Sequence, residues 1–186
     1  MHRMPSPIGH ALAGVSVAWA GDVIDRRRSS LRLVATCALL ATIADLDLLL
    51  PRYHRSITHS LVAVVFVLIV SAAVTRGVTR WRIALLCTGA YASHLLLDWL
   101  GADTLPPFGL QILWPFVSRF FVSGLDLFAE TERRHPFSGA TLYQNLWAAA
   151  QEVAIVAPVA IALWLVRVKA LARLPAEMPR RHHAAQ

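Results

Sequence analysis

Apolar and polar positions along this chain fall in long blocks rather than at a short period. Five apolar runs, Ile8–Ile24, Leu31–Leu50, Ser60–Thr75, Ile83–Leu100 and Leu146–Val168, are separated or ended by basic segments such as Arg26–Arg28 and Arg76–Arg82. Each run is near the roughly 20 residues that an α-helix needs to cross a hydrocarbon core. The pattern predicts an all-α fold, a polytopic transmembrane helical bundle of about five spans. Between Gly101 and Asn145 the pattern is mixed, and Pro115 and Arg119 interrupt Phe108–Phe128. That stretch reads as an interfacial or re-entrant cap rather than a sixth span. The first run has two readings. It is either a signal peptide with Ala18-Trp19-Ala20 as its cleavage site, or a retained helix capped by Ser6 with Pro7 in its first turn. Pro5, Pro7 and His10 break up a signal sequence, which favours the retained helix. Residues 1–174 then form one membrane-embedded domain, with 101–145 as an extracytoplasmic cap and 175–186 as a disordered cytoplasmic tail.

Composition sharpens this picture. The 186 residues are 56% hydrophobic and only 16% charged, too apolar for an ordinary soluble domain. The net charge of +7 comes from Arg and Lys dispersed between the apolar runs, not gathered on one face, so nucleic acid is not an expected partner. These charges instead set orientation. With the N-terminus outside and five alternating runs, the inner side collects Arg26–Arg28, Arg32, Arg76, Arg80, Arg82 and the basic C-terminal residues. Basic residues gather on the cytoplasmic side of membrane proteins. Asp22 and Asp25 are expected to pair with Arg26–Arg28 there. Cys37 and Cys87 lie within apolar runs and read as small core residues.

The chemistry sits in the junctions. Ala44–Ser60 reads ADLDLLLPRYHRSITHS, carrying Asp45, Asp47, His54 and His59; His94 and Asp98 end the fourth run, and His10 lies in the first. Carboxylate and imidazole bind divalent metals where thiolates are absent, and such groups are costly in lipid without a partner. In the topology above, which rests on Arg and Lys alone, all seven fall at one depth on the outer side. His94 and Asp98 are i and i+4 and share a helical face. Asp45 and Asp47, about 200° apart on an ideal helix, converge only if the helix ends or unwinds there, as Pro51 favours. One of that pair is otherwise a partner that orients a ligating imidazole. Ser56 or Thr58 is expected to cap the helix that His59 opens.

The segments PSPIGH (5–10), ADLD (44–47), HRSITHS (54–60), HLLLDW (94–99) and LWPF (113–116) together resemble the membrane-bound metal-dependent hydrolase family of bacteria. The order His, Asp, His, then His-x-x-x-Asp is also similar, more weakly, to zinc-dependent phospholipase C enzymes. No further His-x-x-x-Glu follows Asp98, as it does in those enzymes. The resemblance implies metal-dependent hydrolysis without naming a substrate.

The sequence therefore predicts an inner-membrane hydrolase with its site at the extracytoplasmic surface. His10, Asp47, His54, His59, His94 and Asp98 are the expected ligands of divalent metal, with zinc as the ion and two ions as the number. Asp45 is a further ligand, an orienting partner, or the acceptor of a water proton. Arg55 is expected to hold a phosphate oxygen. A site at headgroup depth implies a lipid or lipid-linked phosphoester as substrate and membrane lipid as partner. The rival readings are a divalent-metal or proton transporter, and a structural or regulatory membrane protein with a stabilising metal.

Overall fold

The structure is a computed structural model that describes residues 6–49, 55–103, 108–129, 131 and 138–173. His54 and the tail 175–186, both singled out from sequence, lie outside the described residues. Five helices follow one another: α1 (Pro7–Asp25), α2 (Leu31–Ile43), α3 (Leu61–Val74), α4 (Arg80–Leu100) and α5 (Gly139–Ala172). Among the described residues there is no strand, only the isolated bridges Gly101–Phe128 and Leu110–Phe121. The five helices match the five apolar runs.

The helix ends follow from local chemistry. Ser6 caps α1 by accepting from the Gly9 N–H at 3.4 Å, and Pro7, which lacks an N–H, fits the first turn. Ser30 and Ser138 cap α2 and α5 in the same way. The cap of α3 is Ser60, which accepts from the Ala63 N–H at 3.2 Å, not Ser56 or Thr58. His59 therefore precedes its helix instead of opening it. α2 stops at Ile43 and tightens into a 3₁₀ turn over Ala44–Leu49, the unwinding that the Asp45–Asp47 spacing required. α5 begins at Gly139, so the last residues assigned to the cap are its first turns.

α1 runs through the middle, packed on α2, α4 and α5, while α3 lies against α4. The contacts use small residues. Ala18, Cys37, Leu86 and Ala90 form one buried cluster. A Cβ on Gly14 would overlap the Cys37 carbonyl oxygen, so glycine is what lets α1 and α2 approach. Small residues at helix contacts are the usual solution in lipid, where close backbone approach replaces the hydrophobic effect. The outer faces are apolar: Val65, Phe66, Ile69 and Val74 on α3, and Val159, Trp164 and Leu165 on α5, are exposed.

Two helices, α4 and α5, are long and apolar enough to cross a membrane. At 1.5 Å per residue, the 13-residue α2 and 14-residue α3 measure about 20 Å, short of a hydrocarbon core of about 30 Å. Five helices are observed; only two of them have the length and composition of a span.

The segment 108–129 contains no helix. It folds back over one end of the bundle, where the Gln111 N–H donates to the Arg55 carbonyl at 2.9 Å and the Leu61 N–H to the Ile112 carbonyl at 2.8 Å. That end carries the start of α1, the end of α2, the start of α3 and the end of α4.

Candidate metal centre

His94 is fixed first. On α4 it is fully buried, and its Nδ1 lies 2.8 Å from the carbonyl oxygen of Ala41 on α2. A carbonyl only accepts, so Nδ1 carries the proton and Nε2 presents a lone pair. His59 is fixed likewise. Its Nδ1 is 3.1 Å from Asp47 Oδ2 and 2.9 Å from Thr58 Oγ1, while the Thr58 hydroxyl donates to the same Asp47 oxygen. The Nε2 of His59 is then also a lone pair, and the two Nε2 atoms stand 3.1 Å apart.

Asp98 completes the arrangement. Its Oδ2 is 3.1 Å from His59 Nε2 and 3.3 Å from His94 Nε2, with its side chain only 3% exposed. Neither Asp98 oxygen has a hydrogen-bond partner. Asp45 Oδ1 lies 3.8 Å from His94 Nε2. The ligand atoms of Asp45, His59, His94 and Asp98 all come within 4.8 Å of one another. Two carboxylates and two imidazole nitrogens pointed at one another call for a positive charge among them, either a proton on an imidazole or a metal ion. Zinc at 2.0–2.1 Å from nitrogen and oxygen ligands sets tetrahedral edges of about 3.3 Å, close to the 3.1–3.3 Å separations among His59, His94 and Asp98, with Asp45 further out. The residues fit a divalent ion.

Burial opposes a charge on His59, but the Asp47 and Asp98 carboxylates outweigh it and lift the imidazolium up to about 9. Without an ion, a proton holds this side of the cluster together; metal and proton compete for the same lone pair.

The remaining expected residues divide by distance. Asp47 sits one step back, holding His59 from behind. Its Oδ2 also accepts the Arg55 N–H at 3.2 Å, which Arg55 delivers with a left-handed φ of 61°, strained for a residue with a Cβ. This is the carboxylate–imidazole arrangement that fixes a tautomer and raises ligand basicity. Asp45 is in the tight group and Asp47 behind it, whereas the sequence reading gave the first place to Asp47. His10 is fully buried, its ring stacked on His94 with centroids 4.0 Å apart. Its Nε2 is 3.2 Å from Asp98 Oδ1, the oxygen turned away from the other two imidazoles. The Arg55 guanidinium is buried and ion-paired with Asp103, whose carboxylate also accepts the Gly109 N–H.

Three contributors escaped the sequence reading. The Ala41 carbonyl and Asp103 gave no signal: one is backbone, the other an acid in a polar loop. Glu152 did give one. It is the single acid within the Leu146–Val168 run, and the rule that singles out ionisable groups in apolar spans applies to it equally. It is buried on α5 with Oε2 bound by the Ser6 N–H at 2.7 Å and by the Ser6 hydroxyl.

At the opposite end, Asp22 and Asp25 do not pair with Arg26–Arg28. Asp22 Oδ1 accepts from the Ser29 N–H at 2.8 Å and the Ser29 hydroxyl at 2.6 Å, and Arg82 binds it at 2.9 Å. Oδ2 accepts from Arg167 Nε at 2.6 Å. Asp25 meets Arg82 at 2.9 Å. Arg26 turns left-handed just after α1, and Asp22 is instead closed over by α4 and α5.

A family model described as YdjM inner membrane protein matches residues 4–174. No curated protein and no solved structure matches the chain. The family description names a membrane and no reaction, so it bears on the membrane half of the sequence resemblance and not on hydrolysis.

Proposed function

This chain belongs to the YdjM inner membrane protein family, and on that premise we propose that it is an integral-membrane, metal-dependent hydrolase. Its substrate in this reading is a phosphoester of a lipid or lipid-linked molecule, cleaved at the extracytoplasmic face. The observation that carries the proposal is the convergence of His59, His94 and Asp98 at 3.1–3.3 Å from one another, with Asp45 closing the group at 3.8 Å from His94. Five membrane crossings and an outside N-terminus rest on the Arg and Lys distribution.

Asp45, His59, His94 and Asp98 would hold the ion, with Asp47 orienting His59. A divalent cation there supplies Lewis-acid activation of water and of the scissile phosphate. Asp45 is the loosest of the four, at 3.8 Å from His94 and with a side chain 10% exposed. Its second oxygen suits it to accept the proton of the attacking water. Arg55 meets a phosphate oxygen by exchanging its Asp103 partner, a swap between two anions that a guanidinium accommodates. Against transport stands the interior between the two ends, where the buried side chains Ala13, Ala18, Cys37, Leu86 and Ala90 offer no chain of ion ligands.

The test is metal analysis of detergent-purified protein with an assay against phospholipids, lipid-linked pyrophosphates and generic phosphoesters. The reading expects stoichiometric metal, cleavage within that panel, and loss of both in His94→Ala. Bound metal with no cleavage across the panel would favour a stabilising ion. Metal crossing the membrane in reconstituted vesicles would favour a transporter.

A further inference from the structure

Three buried polar groups on the α1 side of Asp98 are left over once the four-ligand cluster is accounted for. Both ring nitrogens of His10, the Oδ1 of Asp98 and the Oε1 of Glu152 have no hydrogen-bond partner. His10 is fully buried and Glu152 is 1% exposed. A buried polar atom without a partner is costly, more so for a charged group. Four such atoms in one place call for a shared partner.

Geometry says where that partner sits. Asp98 turns Oδ2 toward His59 and His94 and Oδ1 toward His10 Nε2, 3.2 Å away. The carboxylate thus faces two positions, one with each oxygen. The His10 separation matches the edge that two ligands of one zinc would make, about 3.3 Å. Glu152 is brought to the same side by design of its neighbours. Ser6 holds Oε2 through both backbone and side chain, and a Cβ on Gly9, the residue before His10, would overlap the Glu152 carboxyl. Gly9 is therefore the opening through which α5 delivers this acid to the His10 turn of α1.

Charge points the same way. Asp45, Asp47, Asp98 and Glu152 are four acids with little exposure, and one divalent cation among Asp45, His59, His94 and Asp98 offsets only two of their charges. Among the described residues no Arg or Lys pairs with Glu152.

We propose that a second divalent cation binds between His10 Nε2 and Asp98 Oδ1, with Glu152 as the acid on the same side. His10 and Glu152 both lie outside the Asp45, His59, His94 and Asp98 group, so this position is separate from the first. This rests on the metal-centre reading above and adds Glu152, a residue outside the expected ligand set, as the acid that makes the second position.

Zinc titration of chelator-stripped, detergent-purified protein, followed by isothermal calorimetry and metal counting, decides the matter without any substrate. Wild type is expected to take two zinc ions of unequal affinity. Glu152→Gln, which can still accept both Ser6 hydrogen bonds, is expected to keep the tighter ion and bind the weaker one on the order of 10–100-fold less well. His10→Ala is expected to retain only the tighter ion. A single ion in wild type overturns the second position and leaves the four-ligand centre intact, whereas no ion at all overturns both. Two ions of unchanged affinity in Glu152→Gln remove Glu152 from the site. Should that variant fail to fold, by circular dichroism in detergent, the wild-type count of two against one still decides.

Discussion

Asp22 and Asp98 are both buried carboxylates on helices at the heart of the bundle, one toward each end. Around Asp22 the protein supplies four donors: the N–H and hydroxyl of Ser29, Arg82 and Arg167. Around Asp98 it supplies three imidazole nitrogens at 3.1–3.3 Å, two of which have spent their protons elsewhere, on Ala41 and on Asp47. The first carboxylate is satisfied from within the chain. The second faces imidazoles whose outward protons are already used, in a group of side chains that could hold a metal ion. Burial and charge alone do not distinguish a structural acid from a metal ligand; the protons on the neighbours do.

The difference can be broken at either end. Asp98→Asn should abolish metal binding, by more than 100-fold in affinity, because it removes the charge that both His pairs share; metal counting after dialysis reads this. Asp22→Asn should leave metal content unchanged. It should instead destabilise the protein by roughly 3–5 kcal/mol, since Arg82 and Arg167 lose their buried counter-charge, seen as a lower unfolding temperature in detergent. If Asp22→Asn also strips the metal, the two ends are coupled and the contrast fails. Asp47→Asn is intermediate. It keeps a carbonyl for Thr58 but weakens the hold on His59, so metal affinity should fall about 10–100-fold. Ser60→Ala should cost α3 about 1 kcal/mol through loss of its cap and leave metal affinity untouched.

A pH series sharpens the same point. The His59 imidazolium is raised from 6.5 to about 9 by its carboxylates, against the effect of burial. A raised value means that the stabilisation from protonated His59 is complete below about 6.5 and lost as pH climbs through about 9. Chelator-treated protein should therefore unfold at lower temperature at pH 10 than at pH 6. Zinc-loaded protein should lack that decline, because the ion has replaced the proton. Thermal unfolding with and without chelator checks both limbs.

Much of this was legible in the sequence, and the parts that were not have physical reasons. The apolar runs marked all five helices, and the 200° offset of Asp45 and Asp47 required the helix to unwind where it does. His59, His94 and Asp98 came together as their positions along the runs implied. The order of Asp45 and Asp47 was not legible, because which carboxylate faces inward depends on the register of a 3₁₀ turn, and both orders share one spacing. The arginine partners of Asp22 lie sixty and more residues away, on α4 and α5, and local charge counting favours the nearer Arg26–Arg28. Glu152 was readable in principle. Its run is long and apolar enough to read as a plain span, which masks the single acid inside it.

The ion's own ligands are the most direct test. X-ray absorption at the zinc edge of the purified, zinc-loaded protein reports that shell. The cluster predicts nitrogen and oxygen neighbours at about 2.0–2.1 Å, with the outer scattering of imidazole rings and no sulfur. A protein that takes up no zinc, or one whose spectrum contains sulfur at about 2.3 Å and so puts the ion on Cys37 and Cys87, would contradict it.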